Sequence, residues 1–238
     1  MILIYLCAGR GSRLPSKFRG KPKCLVKIKN KTLLERNESF FKFFRKKIII
    51  TGYKSYKLDE ISKKFGFKIV HNKDFAQTNM VYSMFLANKS IDEDVVVCYG
   101  DIIFDSKIIN LLKNKKNILP IYSKWLTYWK KRMKFDEISN DAENLTIKKN
   151  MVINIGGKIL KKNPKYQFTG IIKFKKKKFI ELYKYFKFFE KKIDMTSFLN
   201  ICIQKNKLKL NIAKYHAYWH EIDTKKDIIV AEKTKDFL

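Results

Sequence analysis

The first fourteen residues constrain this chain most. Ile2-Leu3-Ile4-Tyr5-Leu6-Cys7 is an unbroken apolar run bounded by small residues, which reads as a strand buried on both faces. It runs directly into Ala8-Gly9-Arg10-Gly11-Ser12-Arg13-Leu14. Small residues at the end of a buried strand let backbone N–H groups approach phosphate oxygens closely. Arg13 adds a fork-shaped cation suited to phosphate. Downstream, Pro22-Lys23-Cys24-Leu25 sets a point charge beside a rigid turn, within reach of the same place.

Two familiar phosphate loops are excluded. Leu14 occupies the third glycine position of the dinucleotide fingerprint. Gly20-Lys21 is followed by Pro22, and Pro15 stands where a Walker loop needs its first glycine.

Further strand and helix signals alternate through the first half. Thr32, with Glu35 in capping-box position, predicts a helix to about Phe44. Strands are expected at 47–51, 67–71 and 95–99, with helices over 58–65 and 78–87 between them. Such a series implies a parallel sheet flanked by helices. The second half is less regular. Short strands are expected over 144–161, with Gly156-Gly157 as a turn, then at 168–174, 208–215 and 218–222. Helices are expected over 179–189 and from Thr224. One domain spanning 1–238 is predicted, with a nucleotide-binding half (1–122) and an acceptor-binding half (123–238).

The formal net charge of +31 invites a nucleic-acid reading. The lysines, however, are spread along the whole chain; even the densest run, Lys175 to Lys178, reads as a solvated face. Nucleic acid is therefore disfavoured as a partner, although the positive field would attract an anionic substrate. Four cysteines without CxxC or zinc spacing suggest reduced thiols in a cytoplasmic protein, with Cys7 and Cys98 in the core. No run is long enough to span a bilayer, and Met1 to Cys7 lacks the marks of a signal peptide.

Asp101, in Cys98-Tyr99-Gly100-Asp101, follows the fourth strand of a parallel sheet, where a carboxylate faces the ligand crevice. It is a turn residue or a magnesium ligand. Asp223, in Trp219-His220-Glu221-Ile222-Asp223-Thr224, either caps the last helix or binds metal. Trp125, Tyr128, Trp129 and Trp219 are core residues or an aromatic enclosure for a quaternary ammonium. His71, His216 and His220 read as non-ligands.

Gly9, Gly11, Arg13, Pro22 and Lys23 together resemble the signature loop of the nucleotidyltransferase family that activates sugar phosphates and related compounds. The resemblance implies a GT-A-like, Rossmann-like α/β fold: a mixed, mainly parallel sheet with a small acceptor-side β insertion. Asn72 to Ser83, Trp129-x-x-Arg132, Asp141-Ala142-Glu143, Ile155-Gly156 and Phe168-Thr169-Gly170-Ile171 narrow it to phosphocholine and phosphonate cytidylyltransferases. By that resemblance, Leu6, Ala8, Gly9, Gly11, Ser12, Arg13, Lys23, Asn79, Ser83 and Gly100 meet the nucleotide, with Arg13 and Lys23 catalytic. Trp129, Arg132, Glu143, Gly170 and Trp219 meet the acceptor, and Asp101 and Asp223 hold Mg2+.

The implied reaction joins CMP from CTP to a small phosphate- or phosphonate-bearing acceptor, such as phosphocholine or aminoethylphosphonate, and releases pyrophosphate. The same motifs are compatible with a sugar 1-phosphate and UTP or dTTP, or with a phosphorylated amino acid or amide in capsule or surface-glycan decoration. A nucleic-acid-binding protein on the same fold is the competing class. Acceptor and pathway are not legible, nor is oligomeric state, for which a homodimer is one option.

Overall fold

The computed structural model describes residues 1–233 apart from 19, 135–136, 139–140 and 160–162. Ten strands form one mixed sheet: β1 (Ile2–Cys7), β2 (Lys46–Thr51), β3 (Lys68–His71), β4 (Val95–Tyr99), β5 (Ile118–Tyr122), β6 (Glu143–Lys148), β7 (Met151–Lys158), β8 (Gln167–Phe168), β9 (Ile171–Phe174) and β10 (Asn211–Tyr215). Their order is β3-β2-β1-β4-β9-β5-β10-β7-β6, with β8 paired to β5. The first four run parallel, as their apolar runs separated by helices require. β9 enters antiparallel between β4 and β5, so strands from the two halves of the chain interleave.

The sheet is covered on both faces. Ile2, Ile4 and Leu6 of β1 pack with the helices Met80–Phe85, Lys176–Phe186 and Met195–Gln204. Leu3, Tyr5 and Cys7 point the other way, into a core with Phe40, Phe41, Leu112 and Trp125. Period-two alternation within a wholly apolar strand thus feeds two separate cores. All four cysteines are buried and unpaired with one another by disulfide. Among the described residues, no helix is long and apolar enough to cross a membrane.

Several expected elements differ in detail. The stretch from Thr32 is two short helices, Leu33–Arg36 and Glu38–Phe41, although the Thr32–Glu35 capping box forms. Between β6 and β7 the turn is Lys149-Asn150, both at positive φ, and not Gly156-Gly157. The two glycines instead sit within β7, where the register with β6 shifts as at a bulge. Residues 160–161 of that expected strand region lie outside the described residues. The strand expected at 168–174 is broken by Gly170 at φ +77°, which turns β8 into β9.

One feature of the topology matters most for function. Ile102–Phe104, just past β4, pairs antiparallel with Trp219–Glu221. The Ile222 N–H donates to the Asp101 carbonyl at 2.9 Å. This ribbon brings the residue after β4 beside a loop far along the chain.

His220 lies in the ribbon, buried edge-on against Tyr128 with ring centroids 4.5 Å apart. Burial, reinforced by the Lys131 and Arg132 charges, pushes its pKa down to about 4. The unfolded chain, with an ordinary imidazole near 6.5, therefore binds one more proton between those values. Stability should fall by about 3 kcal/mol as pH drops through that window, and the slope should flatten in His220→Gln. Urea unfolding at a series of pH values measures both.

Candidate active site

The parallel strands β1 and β4 end side by side, and the crevice beyond such carboxyl ends is where open α/β sheets bind ligands. Gly100 permits the close approach: its N–H donates to the Leu6 carbonyl at 3.0 Å, and a Cβ there would sit 2.5 Å from that oxygen. The loop after β1 folds over this edge. Gly11, at φ +65°, packs against the aliphatic stem of Lys23 and shapes the loop.

Four side chains distant in sequence converge here. The Lys23 ammonium donates to Asp101 Oδ2 at 2.8 Å and also to Asp223 Oδ1. Arg13 reaches the same Asp223 oxygen at 3.0 Å and stands 3.8 Å from Asp141. Burial alone would depress the Lys23 pKa, but Asp101 and Asp223 outweigh it and raise the pKa above the ordinary lysine value. Burial likewise opposes ionisation of Asp223, but Lys23 and Arg13 hold its carboxyl below the usual range. The Asp223 side chain is free for this contact because Thr224, not Asp223, caps the last helix in a capping box with Asp227.

The cluster separates two cavities. The larger, about 470 Å³, is lined by Leu6, Ala8, Gly9, Ser12, Lys23, Asn79, Ser83, Gly100 and Asp101, with Cys7, Cys24 and Phe75 at its wall. The smaller, about 210 Å³, holds Arg13, Trp129, Glu143, Gly170, Trp219 and Asp223. Asp141 and Phe168, from stretches that narrowed the resemblance, also line it, and sequence reasoning assigned no role to the rest of that wall: Tyr99, Gln167, Asp194, Thr196 and Glu221. Asp194 had a readable signal, since it caps the Met195–Gln204 helix by accepting from the Ser197 N–H.

One expectation is corrected. Arg132 does not face the smaller cavity. Its guanidinium is fully buried, donating to Asp227 Oδ1 at 2.9 Å, near Glu221, and lying 4.5 Å from the Trp129 ring centre. It is committed to Asp227, whose other oxygen accepts from the Asp223 and Thr224 N–H groups. Of the two readings of the four aromatic residues, the core holds for two. Trp125 and Tyr128 lie in the core, donating to Pro164 and Glu221 carbonyls, while Tyr99 and Phe168 join Trp129 and Trp219 at the cavity. Asn79 lines the larger cavity, yet its side chain also ties the Lys192 carbonyl, linking that segment to the loop before Asp194. His71 and His216 lie apart from the cluster, with His71 against Thr51.

Magnesium, implied by the sequence, finds donors of the right kind. Asp101 Oδ1 is buried and accepts no hydrogen bond among the described residues, so it keeps the capacity to ligate a cation. Among the described residues no three His, Cys, Asp or Glu side chains are placed together so as to hold a metal ion. Two carboxylates suit Mg2+ nonetheless, because it keeps waters and phosphate oxygens as its other ligands.

Removing Arg132 would leave Asp227 as an uncompensated buried charge. Arg132→Met should therefore cost about 3–5 kcal/mol of stability. Chemical denaturation checks this; a loss under about 1 kcal/mol would contradict the buried pair.

Comparison with known proteins agrees with this geometry. The MobA-like NTP transferase domain matches residues 3–118. The CTP:phosphoglutamine cytidylyltransferase of Campylobacter jejuni is 29% identical over 97% of this chain and 98% of its own. The choline-phosphate cytidylyltransferase of Streptococcus pneumoniae is 31% identical over 46% of this chain and 49% of its own. Among solved structures, the CTP:phosphocholine cytidylyltransferase from Streptococcus pneumoniae superposes with a TM-score of 0.76 at 20% identity, covering 98% of both chains, which establishes a shared fold. The similarity to nucleotidyltransferases therefore runs the length of the chain through its cytidylyltransferase relative, while the MobA-like NTP transferase domain itself matches residues 3–118.

Proposed function

We propose that this enzyme is a cytidylyltransferase that joins CMP from CTP to a small acceptor carrying a phosphate or phosphonate. The observation that carries this reading is the Arg13–Lys23–Asp101–Asp223 cluster, set where a nucleotide-sized cavity meets a smaller one. The cytidylyltransferase relatives support CTP as the donor.

On this reading the triphosphate lies along the loop after β1, its base toward Ala8, Asn79 and Ser83. The acceptor occupies the smaller cavity with its phosphate toward Arg13. An acceptor oxygen attacks the α-phosphorus, the new O–P bond forms, and the bond to pyrophosphate breaks in line. No proton transfer to the enzyme is required when the nucleophile is already an oxyanion. Asp101 and Asp223 would hold Mg2+, which supplies charge neutralisation at the phosphate oxygens. Arg13 and Lys23 orient the phosphates and stabilise charge growing on the leaving group.

The test is pyrophosphate release with CTP, Mg2+ and a panel of acceptors, with products identified by mass spectrometry. The panel should include phosphocholine, phosphoethanolamine, aminoethylphosphonate, phosphorylated glutamine and hexose 1-phosphates, with UTP and dTTP as competing donors. Lys23→Ala and Asp101→Asn should each lower kcat/KM by about 10²-fold or more. Near-normal turnover in either variant, or no transfer from CTP to any phosphorylated acceptor, overturns the assignment.

A further inference from the structure

The acceptor cavity holds more acid than its one arginine can balance. Asp141, Glu143, Asp194, Glu221 and Asp223 all line it, against Arg13. Two of these carboxyls meet across a single hydroxyl. Thr196 Oγ1 lies 2.8 Å from Glu143 Oε1 and 2.9 Å from Asp194 Oδ1. A hydroxyl has one hydrogen to give. It cannot give both oxygens a full hydrogen bond, and an ionised carboxylate has nothing to donate back. A proton on one of the two carboxyls gives each contact a hydrogen of its own.

The surroundings decide which one. The same Asp194 oxygen accepts from the Ser197 N–H at 2.8 Å, at the N-terminus of the ten-residue helix Met195–Gln204, a position that favours an anion. Burial works against the Asp194 charge, but those donors hold its carboxyl below the usual range. Glu143 has no such backbone donors in its hydrogen bonds; its carboxyl meets Thr196 alone among described partners. Burial raises it first, and the neighbouring Asp194 and Asp141 charges raise it further against the Thr196 contact. The chain is thus Glu143 O–H to Thr196 O–H to Asp194.

The fold secures the middle link. Gly156, in the bulged part of β7, leaves the room that Thr196 fills: a Cβ at Gly156 would sit 2.9 Å from Thr196 Oγ1. The other groups facing Glu143 are Tyr99, whose buried phenol stays neutral, and, across the cavity, Arg13, Glu221 and Asp223. Among the described residues none gives Glu143 a cation in direct contact, since Arg13 pairs with Asp223 and Asp141 instead.

We propose that Glu143 is the specificity switch of the acceptor cavity: it is a neutral carboxylic acid when the cavity is empty and ionises when the cationic end of a phospho-amine acceptor enters. The proton leaves to solvent, and the carboxylate becomes the partner of the ammonium, beside the faces of Tyr99 and Phe168. The inference rests on the acceptor assignment made above, but the protonation of Glu143 is tested apart from it.

Carbon-13 labelling of the glutamate carboxyls, followed by NMR at pH 7, reads the empty protein directly. Glu221, which burial pushes up to about 8, should give one signal at the neutral-acid position, and a second such signal should vanish in Glu143→Gln. Phosphocholine is the binding probe, because its quaternary ammonium has no proton to lose. Adding it should move the Glu143 signal to the ionised position. Calorimetry in buffers of different ionisation enthalpy should then show about one proton released per site, and none in Glu143→Gln. Glu143→Gln should bind phosphocholine at least tenfold more weakly while binding CTP normally. An ionised Glu143 in the empty protein, a signal unmoved by phosphocholine, or undiminished proton release in Glu143→Gln would each overturn the proposal. CMP transfer solely to acceptors without a cationic group would overturn it too, while leaving the cytidylyltransferase reading intact.

Discussion

A buried ammonium held between two carboxylates organises this molecule. Neither Asp101 nor Asp223 could sit ionised near the other in a half-enclosed cleft without a cation between them, and Lys23 could not be buried without them. In the ligand-free protein each charge satisfies the next. The arrangement is also incomplete, since one Asp101 oxygen stays unsatisfied. On the proposed reading that residual demand is what a divalent cation meets. Displaced from between the carboxylates, the Lys23 ammonium is then available to the phosphates. The cluster is therefore built before substrate arrives, which is where electrostatic catalysis takes its advantage.

Topology delivers those charges. β1 ends in the loop that carries Arg13 and leads to Lys23, and β4 ends at Asp101 one strand away. Asp223 comes from the far end of the chain, guided by the ribbon between Ile102–Phe104 and Trp219–Glu221. A second layer fixes it: Asp227 receives the Asp223 N–H, and buried Arg132 holds Asp227. Arg132 acts at one remove from the chemistry, through the backbone that presents a carboxylate.

This division explains what could be read in the chain. Gly9, Gly11 and Arg13 follow one unmistakable buried strand and Asp101 follows another, so local spacing placed them at one sheet edge, while Lys23 was placed there by the signature loop it resembles. The alternation of strands in the first half likewise dictated a parallel sheet. Arg132 was misplaced because a motif reports which residues matter and not which way a side chain faces; burial against Trp129 and Asp227 is a tertiary outcome. The hairpin turn went to Gly156-Gly157 because glycine is the usual carrier of positive φ. Lys149 and Asn150 adopt it instead, leaving the glycines to make space for Thr196. The Met195–Gln204 helix had its signal in the 195/198/199/202 spacing after Asp194, overlooked among short polar stretches.

The contrast between surface and cavity gives the charge of this protein a physical meaning. A net charge of +31 creates a field that draws a polyanion such as a nucleoside triphosphate toward the molecule from any side. Salt screens that field within about 8–10 Å, so it cannot discriminate between ends of a small substrate once inside. Inside, the immediate neighbours decide. Arg13 lines the smaller cavity and Lys23 the larger, both in contact with Asp223, and the Glu143–Thr196–Asp194 chain lies within the smaller one. A substrate with negative charge at one end and positive charge at the other fits that gradient in a single orientation. On the proposed reading, the orientation it selects points the phosphate at the triphosphate, which is the geometry in-line transfer requires.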